Sequence, residues 1–159
     1  MTAFSFSFSS DTNLIKEVLL SYNNIPFNFD DTFEDPTTFN PPICDKIRYI
    51  EVKDGSITQG FFFLIDKNGY TECHMAFLPI AYGKVHAIGR ECIKWVWDNT
   101  DIQVMVAPCI ETNTLALRCI QSFGFTIFHK QEDAWLRDGI WHHYLWLKLE
   151  RCHNIRDEV

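Results

Sequence analysis

Two side chains that exchange protons readily stand close together in this sequence. Glu72 and His74 lie two residues apart in TECHMAFLP, a stretch that reads as a strand, so both point to one face. A carboxylate beside an imidazole can hold a proton or relay one. Cys109 and Glu111 follow a second predicted strand, DIQVMVA, and add a thiol and another carboxylate. Between the two strands Gly83 opens a helical pattern that runs to Asn99, and the free amides of a helix N-terminus favour an anion such as phosphate. Lys84 and His86 beside that glycine are candidate cationic partners. Each residue also has an ordinary reading: Glu72 as a solvated strand start, His74 as a hydrogen-bonded core histidine, Lys84 and His86 as plain helix-start residues. Cys109 reads as a buried thiol, because no cationic neighbour is evident to lower its pKa.

Composition narrows the class of protein. A chain of 159 residues with 47% hydrophobic residues, 14 Phe and 5 Trp can bury a substantial core. We read residues 1–150 as one domain and 151–159 as a polar tail. A net charge of -7, without a cluster of Lys and Arg, argues against nucleic acid as a partner. Neither a signal-peptide pattern nor an apolar run of about 18 residues is present, which predicts a soluble, cytoplasmic protein with no membrane partner. None of the six cysteines forms a C-x-x-C pair, so reduced thiols are expected. His142-His143 and Cys152-His153 are adjacent pairs that a strand would point to opposite faces, and no metal site is expected.

These residues need elements to hold them. Phe4, Phe6 and Phe8 alternate with serines in a predicted strand from Ala3 to Ser9, and a helix capped by Ser10 or Asp11 follows to about Tyr22. Residues 26–42, PFNFDDTFEDPTTFNPP, interleave acids with phenylalanines and suit a long loop pinned to the domain, or a lid or partner-binding segment. Three strands then meander, Ile47–Val52, Ile57–Ile65 and Tyr70–Leu78, with turns at Asp54-Gly55 and Asn68-Gly69. A helix from about Gly83 to Asn99 leads to the strand Ile102–Ala107, and Pro108 is expected to interrupt the chain where that strand parts from its neighbour. A short helix opening near Asn113 closes at Gly124. A strand Phe125–His129, a charged connection over 130–138 and a final strand Ile140–Leu149 complete the order. The fold class is mixed α+β, with strand, turn, helix, strand and helix forming a parallel crossover at its centre.

That order resembles the GNAT superfamily of acyl-CoA-dependent N-acyltransferases. The most specific local likeness is Asn113-x-x-Ala116 through Gly124-Phe125, similar to that family's N-x-x-A/S…G-F ending. Pro79 and Gly83 ahead of a helix resemble its pyrophosphate loop. The resemblance implies a central mixed sheet of about seven strands with flanking helices, in the order β-α-loop-β-β-β-α-β-α-β-β. It implies two parallel strands, Glu72–Leu78 and Ile102–Ala107, that splay apart to admit the acyl thioester. Backbone groups of Ala76, Phe77 and Leu78 would pair with the pantetheine arm of acetyl-CoA. The turn of Tyr82, Gly83, Lys84, Val85, His86 and Ala87 would hold the pyrophosphate, with Asn113 near the cofactor arm.

In this chemistry the acceptor amine must lose its excess proton, since a lysine-like amine titrates near 10.4. Glu72 or Glu111 is the candidate base, with His74 as a relay. The family loop reads Q/R-x-x-G-x-G/A, whereas this chain has Ile80 first and Val85 last, and a valine there would crowd an approaching phosphate. The tyrosine many members carry in the last helix is Ile120 here. Two readings follow. One is transfer of an acetyl group to a small-molecule or protein amine, with the acidic 26–42 loop favouring a cationic acceptor. The other is an inactive protein of this fold that binds protein partners through residues 26–42, in keeping with an overall resemblance to small phage-encoded GNAT-like proteins of uncharacterised or virion-assembly role. Either reading leaves a homodimer open.

Overall fold

The computed structural model describes residues 4–21 and 23–151. Ala3, the predicted helix end at Tyr22 and the Cys152-His153 pair with the rest of the tail lie outside the described residues.

Seven strands make one sheet: β1 (Phe4–Ser9), β2 (Ile47–Asp54), β3 (Ile57–Asp66), β4 (Thr71–Phe77), β5 (Val104–Ile110), β6 (Thr126–Arg137) and β7 (Ile140–Glu150). Four helices interrupt them: α1 (Thr12–Leu19), α2 (Ile25–Asn28), α3 (Val85–Asn99) and α4 (Thr114–Ser122). The sheet order is β1-β2-β3-β4-β5-β7-β6. All neighbours are antiparallel except β4 and β5, the parallel pair the crossover through α3 requires.

Local chemistry accounts for the boundaries. The Asp11 carboxylate accepts from Leu14 N at 3.0 Å and starts α1; the Asn113 side chain accepts from Ala116 N at 3.2 Å and starts α4. Asn68 and Gly69 both take positive φ in the β3–β4 turn. Each face of the sheet then buries its own apolar set. Ile15, Val18 and Leu19 of α1 cover Tyr49, Phe61, Phe63 and Ala76. On the other face, Ile88, Cys92 and Val96 of α3 and Ile120 of α4 cover Ile50, Phe62, Leu64 and Leu147. Gly89 lets the two helices meet, since a Cβ there would lie 2.2 Å from the Phe123 ring.

Two expectations are corrected. Pro108 does not end β5, which runs on to Ile110 with Pro108 opposite Trp146 of β7. Proline is tolerated because β4 pairs with β5 only at Thr71↔Met105 and Glu72↔Val106, so by Pro108 there is no β4 ladder to interrupt. Residues 130–138 are not a loose connection; most of them belong to the 12-residue strand β6, whose alternation is broken by irregularities after Ile127 and after Gln131. Residues 26–42 hold a helical turn at Ile25–Asn28 and a 3-10 turn at Pro36–Thr38, and Phe29, Phe33 and Phe39 pack ring to ring at 5.2–6.2 Å.

Candidate functional site

Because β4 and β5 share only two residue pairs, their C-terminal halves diverge, and Cys73–Phe77 has no strand partner on the β5 side. A cavity of about 150 Å³ occupies the divergence. Its walls are Cys73 and Met75 of β4, Ala107, Pro108 and Cys109 of β5, and apolar residues of α3 and α4. On the opposite face lies a second cleft of about 280 Å³, between the 26–42 loop, β2–β3 and the β6–β7 hairpin. Four residues line both spaces: Phe27, Asn28, His74 and Tyr144. They mark the junction, and His74 and Tyr144 are the two among them that titrate.

At that junction His74 Nε2 lies 2.7 Å from Glu72 Oε1, and Lys67 Nζ is 3.5 Å from the other carboxylate oxygen. The hydrogen bond from His74 is the main reason the Glu72 carboxyl is held below its usual 4.5; burial opposes it, and the charges of His74 and Lys67 assist. An ionised carboxylate only accepts, so Nε2 carries the hydrogen and the lone pair of a neutral ring sits on Nδ1. Tyr144 stands opposite Ile110 in the β5–β7 register and packs between Trp135 and Trp146, with ring centroids 5.8 and 6.3 Å away. Burial, with the Asp30 and Glu72 carboxylates nearby, pushes its phenol far above the ordinary value, so the hydroxyl keeps its proton.

Tyr144 is the residue that sequence reasoning missed. Its only signal was alternation in the last strand, which gave it the appearance of a sheet residue, and nothing local places it against the ends of β4 and β5.

The remaining candidates are dispersed. Glu111 lines neither space; its carboxylate meets Lys130 Nζ at 3.1 Å and His143 Nε2 at 3.6 Å. Cys109 and Cys73 border the cavity as thiols, pushed by burial up to about 11 and about 12, and so are poor nucleophiles at neutral pH. Asn113 caps α4 and lines the cavity, as does Ile120. The Phe77 carbonyl accepts from Asn24 Nδ2 at 3.0 Å, and Leu78 N donates to the Gln59 carbonyl at 2.9 Å, which leaves the stretch from Cys73 to Ala76 as the open edge of β4. Ala76 itself is buried.

At the start of α3, Gly83 has φ +85, with open space where a Cβ would stand. No side chain caps α3, so its leading amides, those of Val85, His86 and Ala87, are available to an anion. Val85 does not crowd them, because its side chain packs against the core. Tyr82 is exposed beside the turn. Lys84 Nζ is bound to Asp54 at 2.8 Å, and His86 Nδ1 to Ser122 Oγ at 2.9 Å. The backbone of this turn therefore suits a pyrophosphate, while its two cationic candidates are engaged elsewhere. Among the described residues, no group of three His, Cys, Asp or Glu stands close enough to hold a metal, and no helix is long and apolar enough to cross a membrane.

Comparison with known proteins agrees with this architecture. No protein-family model matches the sequence, and no curated protein matches it significantly. Solved structures do. Spermidine N-acetyltransferase from Vibrio cholerae, in complex with CoA and spermine, superposes with a TM-score of 0.75 at 13% identity, over 92% of this chain and 95% of that one. A Salmonella typhimurium protein, YncA, assigned as an acetyltransferase and solved with its cofactor acetyl-CoA, gives 0.67 at 17% identity, over 99% of both chains. An Acinetobacter baylyi protein, also assigned as an acetyltransferase, gives 0.69 at 16% identity, over 99% of this chain and 97% of that one. The chain has the GNAT fold.

Proposed function

We propose that this chain transfers an acyl group, acetyl in the simplest case, from acyl-CoA to an amine. The observation that carries the reading is the junction: the space between splayed β4 and β5 meets the cleft on the far face at His74 and Tyr144. The leading amides of α3 beside Gly83 would hold the pyrophosphate, and the unpaired edge of β4 the pantetheine arm. Bound acetyl-CoA supplies the activated thioester.

The chain's own residues manage the protons. Forming the amide C–N bond and breaking the thioester C–S bond releases two protons from an ammonium, one to solvent and one to the departing sulfur. His74 Nδ1 accepts the first, and the Glu72 carboxylate orients the ring and stabilises its charged form. Tyr144 Oη keeps a proton at neutral pH and holds it at the same junction, where a leaving thiolate needs one. No cysteine at the cavity takes a covalent role, since burial keeps all three thiols there, Cys73, Cys92 and Cys109, protonated. The 26–42 loop forms one wall of the acceptor cleft, and its acids draw a cationic amine toward Glu72. Phe29, Phe33 and Phe39 of that loop pack on one another, and Phe29 and Phe39 line the cleft, which favours a wall over a partner-binding strap.

Calorimetric titration with acetyl-CoA tests the reading. One-to-one binding is expected, and ligand at 100 times its dissociation constant should raise stability by about 2.7 kcal/mol in a thermal-shift assay. Absence of binding at millimolar ligand would overturn it.

A further inference from the structure

Aromatic side chains make up about half of the lining of the cleft on the loop side. Phe29, Phe39, Tyr49, Phe63, Trp135 and Tyr144 surround it, drawn from the 26–42 loop, β2, β3 and both strands of the β6–β7 hairpin. Its volume of about 280 Å³ exceeds the roughly 150 Å³ that holds a benzene ring in an apolar protein cavity. Charge is confined to one end. His74 is the sole Lys, Arg, His, Asp or Glu among the lining residues, and it sits on the Glu72 carboxylate, with Asp30 close enough to act on Tyr144. The walls also include Leu19, Ile47 and Ile65.

An amine entering head-first meets His74, with the Glu72 carboxylate behind it, and π faces along its body, which attract both a cation and a flat apolar group. A second ammonium deep in the cleft would lose its hydration with no counter-charge in the walls. Resting on the amine-acylation reading, we infer that the acceptor is a primary amine on a short aromatic body, an arylalkylamine, in preference to a polyamine or a peptidyl lysine.

The test does not depend on the cofactor. 2-Phenylethylamine, spermidine and an N-terminally capped lysine peptide are each titrated into the full chain without CoA, by calorimetry and ligand-observed NMR. Phenylethylamine should bind at least about tenfold more tightly than either of the others, the scale of discrimination an apolar pocket gives for a modest change in body. Trp135→Ala should weaken it by a similar factor. Phe39→Ala, on the loop wall, is the second variant should Trp135→Ala fail to fold, with circular dichroism as the check on both. Tighter or equal binding of spermidine or the lysine peptide overturns the inference. So does failure of phenylethylamine to saturate, or binding that folded Trp135→Ala or Phe39→Ala leaves unchanged. A parallel assay of thiol release from acetyl-CoA separates the two readings. Acetylation of spermidine or the peptide but not of phenylethylamine sinks the arylalkylamine and keeps the transferase. Selective phenylethylamine binding by a protein that ignores acetyl-CoA does the reverse.

Discussion

The two sides of the splayed seam are built by different means. On the α3–α4 side the wall is regular helix, with Cys92, Val96 and Ile120 presenting small and aliphatic groups at fixed spacing. On the other side the wall is an irregular loop, aromatic in content and tied to the β6–β7 hairpin by Asp31. Its amide donates to the Leu136 carbonyl at 3.0 Å, and its carboxylate accepts from Gly139 N at 3.2 Å. Helical walls hold a channel whose shape follows from the core itself, so they suit an arm that is the same in every reaction of this kind. A loop pinned at a few points can change its residues without disturbing the sheet, which suits recognition of an individual acceptor.

Four substitutions break or sharpen that contrast. The largest effect belongs to the donor side. Gly83→Asp puts a like charge where a phosphate would approach and should weaken acetyl-CoA binding by more than about a hundredfold. Amine binding in the loop-side cleft should stay within about twofold, since the sites do not share that turn. Calorimetry with each ligand reads both.

Next comes the junction. Tyr144→Phe should lower kcat by about a hundredfold with little change in the affinity for acetyl-CoA, and steady-state kinetics separates the two. His74→Ala should lower kcat similarly and also alter stability against pH. Glu72 titrates lower in the folded protein than in the unfolded one, so its contribution is full above the usual 4.5 and is lost as pH falls through the folded value. Without the His74 hydrogen bond that difference shrinks, and thermal denaturation from neutral to acid pH should show a shallower acid-side loss.

The smallest effect is on the loop. Asp31→Ala releases the hairpin contact at Gly139 and should raise KM for the amine by about fivefold, equivalent to about 1 kcal/mol, leaving acetyl-CoA affinity unchanged. An equal loss for both ligands would show that the two walls are not independent.

Much of the frame was legible because its signals are local. Asp11 and Asn113 cap the helices they precede, Asn68-Gly69 turns between β3 and β4, and the stripe of Ile88, Cys92 and Val96 faces the core. Pairing Glu72 with His74 was legible too, because alternate residues of a strand share a face. Pro108 misled, since its cost depends on whether a neighbouring strand is there to lose a bond. The stretch 130–138 misled because bulges reset the period of two and most of its side chains are solvated. Whether Val85 crowds the turn was not legible for a related reason: it depends on which way the first residue of a helix faces.

The sequence by itself determined the order of elements, the two amphipathic helix faces and the carboxylate–imidazole pair, all of which rest on contacts within a few residues. Only the tertiary structure decided that β5 runs on past Pro108, that Glu111 is spent on Lys130 and His143, and that Tyr144 and His74 line the same two spaces. Those facts depend on sheet order and register between strands as many as 70 positions apart in sequence (His74 and Tyr144), and no local pattern of residues encodes which distant strand arrives beside which.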